Sequence, residues 1–245
     1  YLNPKRPSLP FQAEELACAM AYAYNFSDSK FYQQPATLNS IRTLIHSFQN
    51  NQDTNRVKQI QDQADVLLVA YSNVQHDFST DEQANLEAIL RSGVEAVAQN
   101  PITEANHSGM QSCALLALAS QLFADPSYMQ TAKKIYPSVS KLFQEDGAVL
   151  ENGTSHFMNA IHSIQSLYTY WDISQDASAQ QRLKSSLKWF HSHFSRNGVP
   201  LVSFQTMDYS AILRKSSGLI GLWLGFADQS PVYSDLATNQ LKLFT

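Results

Sequence analysis

About ten stretches in this chain carry apolar residues spaced three and four apart, one stretch after another, and that spacing leaves little room for any fold but a helical one. Leu16, Met20 and Ala23 share one face of an alanine-rich segment over 11–24. Leu38, Ile41, Leu44, Ile45 and Phe48 form the next stripe, and Pro35 suits the first turn of its helix. Val57, Ile60, Ala64, Leu67, Leu68 and Tyr71 follow. Thr80-Asp81-Glu82-Gln83 reads as a capping box, with the Thr oxygen and the Gln amide satisfying free N–H groups of the first turn. It opens a helix that stops before Asn100-Pro101.

Past that point a nearly continuous apolar run predicts a buried helix over 108–123. Asp125-Pro126 pairs a capping residue with a proline at the first helical position, and Pro137 should kink the helix that follows. Further helices fit 156–171, the Leu183–Leu187–Phe190–Phe194 stripe, 209–226 and 231–244, with a turn at Asn197-Gly198-Val199-Pro200 and a short extended piece over 199–204. No set of paired strands emerges, so the fold class is all-α. Short links make consecutive helices antiparallel neighbours, and hairpins of this size curling round one axis give an incomplete α/α toroid. The 245 residues fit one such domain, which can belong to a longer parent chain.

Composition narrows the function classes. A net charge of -4 with 16% charged residues lacks the basic field of a nucleic-acid binder. No apolar run reaches the length of a membrane span, and the start lacks the shape of a signal peptide. Cys18 and Cys113 sit in apolar helical patterns and read as reduced, buried thiols. Sequons at Asn25, Asn106 and Asn152 are of a frequency that chance supplies in a chain rich in Asn and Ser.

Two segments carry the chemistry. Glu104-Ala105-Asn106-His107-Ser108-Gly109 stands at the mouth of the buried helix. About forty residues on comes Asp146-Gly147-Ala148-Val149-Leu150-Glu151, and then Ser155-His156-Phe157 opens another helix. Asn-His before a buried helix, then Asp-Gly-x-x-x-Glu, resembles the toroid domain of heparinase II/III-type and alginate-lyase-type polysaccharide lyases. The resemblance spans roughly 11–226, though its specific part is these two segments. It implies that Asn106 and His107 bind a uronic acid carboxylate while a base takes the C5 proton. Where that family shows Tyr followed by His, this chain has His156 and Phe157. His156 is therefore the candidate base, with Tyr209 beside Arg214 as the alternative, or Tyr168 or Tyr170. Glu151 is expected to position a neighbour or the substrate.

The chemistry asks for such residues. A carboxylate resists the further negative charge that develops when the adjacent proton leaves, so donors preorganised at a helix N-terminus must stabilise it. A histidine with the ordinary pKa of about 6.5 can take that proton at neutral pH, whereas a tyrosine needs a nearby cation. The expected partner is an acidic polysaccharide or oligosaccharide, with no cofactor and no metal, in a periplasmic or secreted setting. His162 falls off the helical face of His156, and His191 and His193 point to different sides, which argues against metal ligation. Trp171, Trp189 and Trp223 read as core, and Arg182, Lys184 and Lys188 as a solvated basic face. Each site residue also has a plain structural role open to it, Asn106 as a helix cap above all. Two other classes remain: a carbohydrate-binding helical domain without catalysis, and a glycoside hydrolase using the Asp146–Glu151 pair.

Overall fold

The computed structural model describes residues 13–48, 57–193 and 231–241. Among them are nine α-helices and two short 3-10 turns, and the fold class is all-α. The only β pairing among these residues is two isolated antiparallel bridges. Tyr209, Arg214, Trp223, the 197–200 turn, the 199–204 piece and the 209–226 helix lie outside the described residues. The described residues fall into two compact units, one drawn from the chain up to Pro101 together with Ala119–Pro126, the other from Ile102–Leu118 and the chain from Ser127 onward.

In the first unit, α1 (Ala13–Asn25), α2 (Pro35–Ser47), α3 (Val57–Val74) and α4 (Thr80–Gln99) pack on one another, α1 against both α2 and α3, and α4 against α2 and α3. The buried residues follow the helical stripes: Ile41 and Ile45 on α2, Leu67, Leu68 and Tyr71 on α3, Leu86, Leu90 and Val94 on α4. Pro35 occupies the first turn of α2, as its fixed φ favours. The start of α4 corrects the sequence reading by one residue. Ser79, not Thr80, is the N-cap; its side chain accepts from the Glu82 N–H and the Glu82 carboxylate accepts from the Ser79 N–H in return. Gln83 instead donates to the carbonyls of Gln75 (2.8 Å) and Phe78 (3.0 Å), tying the α3–α4 connection shut.

The second unit holds most of α5 (His107–Leu122) and of α6 (Pro126–Val139), with α7 (Phe157–Ser174), α8 (Ala177–His191) and α9 (Pro231–Leu241). Met110, Cys113, Ala114, Leu116 and Ala117 of α5 are all buried, which is why its sequence lacks a polar face. Cys113 is a buried free thiol as expected, whereas Cys18 is a half-buried one. Pro137 lies in the last turn of α6, three residues before the 3-10 turn at Ser140–Leu142 begins. α7 closes on Gln175 in the left-handed region, and Asp176 then caps α8 by accepting from the N–H groups of Ser178 and Ala179. α7 and α8 pack together, with Phe157 against Phe190 at 5.5 Å between ring centres. No helix among the described residues is long and apolar enough to cross a membrane.

Candidate functional site

Between α6 and α7 the chain makes two tight turns that place Glu151. Leu142–Leu150 is a small hairpin, held by the Phe143–Val149 bridge and by the Leu150 N–H donating to the Leu142 carbonyl at 2.9 Å. At its tip the Asp146 carboxylate accepts from the Ala148 N–H at 2.9 Å, and Gly147 takes a φ of +93°. A side chain at Gly147 would also stand 2.1 Å from the Ser185 carbonyl of α8, so the Asp-Gly pair is fixed by packing. The second turn is Glu151-Asn152-Gly153-Thr154, with Glu151 and Thr154 paired and both central residues at positive φ (51° and 77°). Asn-Gly is the pair that such two-residue hairpin turns favour.

Glu151 then reaches the mouth of α5. Its Oε1 accepts from the His107 backbone N–H and stands 2.9 Å from His107 Nδ1, while Oε2 accepts from Asn159 Nδ2 of α7 at 2.7 Å. One carboxylate, 12% exposed, therefore ties the first turn of α5 to the first turn of α7. Burial alone would raise its pKa. The bonds from Asn159 and from the His107 N–H and ring, with the charge of that ring when protonated, outweigh burial and hold the carboxyl below the ordinary range. A hydrolase acid needs the opposite shift, and Asp146 is spent on its own turn, so the Asp146–Glu151 pair is not built as an acid and a base.

Asn106 caps α5 by accepting from the Gly109 N–H through Oδ1 at 2.8 Å. That leaves its amide Nδ2 with no hydrogen bond among the described residues, so capping and ligand binding are compatible uses of one side chain. Gly109 is required here because a Cβ would stand 2.2 Å from the Glu104 carbonyl, which folds back over the first turn. His107 presents its remaining nitrogen, Nε2, 3.3 Å from Ser108 Oγ, and its side chain is 28% exposed. With Nδ1–H given to Glu151, a neutral His107 carries its lone pair on Nε2; protonated, it donates from both nitrogens.

His156 is the exposed N-cap residue of α7, with no capping bond from its side chain. Its Nε2 lies 3.2 Å from Thr154 Oγ1, and Thr154 is the residue paired with Glu151. Asn106, His107, Glu151 and His156 thus belong to one connected cluster of turns and helix starts. The two other tyrosines considered as bases do not suit the task. Tyr170 is fully buried, stacked on Tyr136 at 4.5 Å, and burial pushes its hydroxyl far up. Tyr168 is pushed up too, by burial and then by the charge of Asp172. No group of three metal-ligating side chains occurs among the described residues. Sequence reasoning missed Asn159, whose only signal is its place one turn into the helix that His156 opens.

No family model matches the chain, and no curated protein matches it.

Proposed function

We propose that this chain is a polysaccharide lyase-like domain, an incomplete α/α toroid of antiparallel helical hairpins, that cleaves a uronic-acid polymer by β-elimination in a periplasmic or secreted setting. The observation that carries the reading is the Glu151 carboxylate holding the N-terminus of α5 and the first turn of α7 at one place. In this mechanism the spare Asn106 amide and the His107 imidazole donate to the substrate carboxylate, with the positive end of the α5 dipole behind them. As the C5 proton leaves, charge grows on that carboxylate, and the same donors bind it more strongly than in the ground state. His156, whose Nδ1 has no partner among the described residues, takes the proton. The C5–H electron pair becomes the C4=C5 double bond as the C4–O bond to the leaving sugar breaks, and the protonated His156 gives a proton to the leaving oxygen. Glu151 is a positioning residue: it fixes the imidazole of His107 and does not touch substrate. Tyr209 and Arg214 keep their place in the proposal as a second base and its cation.

The test is incubation with a panel of uronic-acid polymers, following the ultraviolet absorbance of the 4,5-unsaturated product. The absorbance should rise with at least one polymer. Asn106→Asp keeps the cap, since a carboxylate accepts from Gly109 as well as an amide does, but it turns a donor into a charge that repels the substrate. That variant should be folded and lose the signal by about 100-fold or more. Reducing ends released without the absorbance would mean hydrolysis, and full activity in Asn106→Asp would remove Asn106 from the mechanism.

A further inference from the structure

On α8 and the tip of the 142–150 hairpin lies an open pocket of about 410 Å³, lined by Gln144, Glu145, Ser178, Gln181, Arg182 and Ser185. None of the residues of the α5–α7 cluster lines it. Ligand pockets are usually apolar with a few polar groups. This one is the reverse: two amides, two hydroxyls, one carboxylate and one guanidinium. Such a lining fits a ligand whose own surface is mostly hydroxyl and carboxylate oxygen.

Arg182 sets the charge of that ligand. It was expected to be a solvated surface residue, but it is part-buried and donates from Nη1 to the Phe143 carbonyl at 2.7 Å. That bond fixes the fork while leaving other N–H groups free, and Arg182 makes no ion pair among the described residues. A fixed guanidinium with spare donors is built for two-point contact with a carboxylate. Gly147 packs close against the Ser185 carbonyl, so the hairpin tip lies directly on α8 at the edge of the pocket. Beside it the buried Tyr136 hydroxyl, next to Ser178, makes no hydrogen bond of good geometry among the described residues. Burial pushes that hydroxyl up to about 12, against the pull of the neighbouring Ser178 and of the charge on Arg182.

We infer that this pocket is a second binding site, taking one carboxylate-bearing sugar with its carboxylate on Arg182 and its hydroxyls on the amides and serines. The requirement for a carboxylate rests on Arg182; that the ligand is a sugar rests on the function proposed above. Glu145 on the same rim opposes an anion, which keeps the affinity low and supplies a test of sign.

The full chain, isotope-labelled, is titrated with glucuronate and with glucose and followed by amide chemical shifts. Glucuronate should bind saturably and glucose at least about tenfold more weakly, the loss of one charge-assisted pair. Arg182→Gln should weaken glucuronate by a similar factor. Because Arg182 also holds the hairpin, Gln181→Ala serves as the second variant: its side chain bonds nothing among the described residues, so it should weaken glucuronate about threefold with the fold intact. Glu145→Gln should tighten glucuronate about threefold and leave glucose unchanged. The inference is overturned if glucuronate fails to bind, if glucose binds equally well, if affinity survives in both Arg182→Gln and Gln181→Ala, or if Glu145→Gln does not tighten it. A chain inactive on every polymer yet binding glucuronate through Arg182 would sink the lyase reading alone.

Discussion

Glu151 uses both carboxylate oxygens on three donors, and the character of the cluster depends on its negative charge. Glutamine has nearly the same shape but only one acceptor oxygen. In Glu151→Gln one of the two partners, Asn159 or the His107 pair, would face an N–H donor instead of an acceptor. The expected loss is about 1–3 kcal/mol at pH 7, the range for a charged hydrogen bond left unmade. Its pH dependence has a definite sign. The folded pKa lies below the ordinary 4.5, so the contribution is whole above that value and is lost as pH falls through the folded pKa. Urea unfolding of the protein and of Glu151→Gln should therefore differ more at pH 7 than at pH 3 (about 1.5 units below the ordinary glutamate value). A gap of equal size at both pH values would show that the charge is not what holds α5 to α7.

Helices were the legible part of this chain, because a 3.6-residue period is written locally and repeats over several turns. The boundaries of α2, α3 and α4 follow from Pro35, from the stripe that starts at Val57 and from Asn100-Pro101. Where two adjacent residues offered the same chemistry, the sequence was ambiguous. Ser79 has Glu82 three residues on and Thr80 has Gln83, so both pairs satisfy the capping pattern, and tertiary contact decides between them by drawing Gln83 onto the Gln75 and Phe78 carbonyls. Ser79→Ala should accordingly cost about 1 kcal/mol, while Thr80→Ala should stay within about 0.5 kcal/mol of the parent by thermal unfolding. The opposite ranking would restore Thr80 as the cap. At the candidate site the Asn106 cap was readable, since the residue type and the apolar run behind it are local. The clasp of His107 by Glu151 spans 44 residues and no local pattern encodes it. The Asn152-Gly153 turn that aims Glu151 was marked in the sequence by the strongest short hairpin signal there is, though it is too brief to stand out between two long helices.

At the scale of the whole molecule, 17 Lys and Arg face 21 Asp and Glu, and the substrate proposed is itself a polyanion. A net charge of -4 offers such a polymer no overall attraction, so the proposal rests recognition on short-range donors. The geometry agrees: among the described residues no Lys or Arg is bonded to Asn106, His107, Glu151 or His156, and the donors available there are an amide, an imidazole and a helix N-terminus. Binding through such groups releases few counterions. If one protein cation at most is matched to each bound carboxylate, raising sodium chloride from about 50 to about 300 mM should lower kcat/KM on the polymer by no more than about fivefold. A groove lined by four or more cations would lose about 100-fold or more over the same range. The salt series separates two ways of holding one substrate: a basic channel would give the steep response, whereas donors fixed by Asn106, by the Glu151 clasp on His107 and by the start of α5 would give the shallow one.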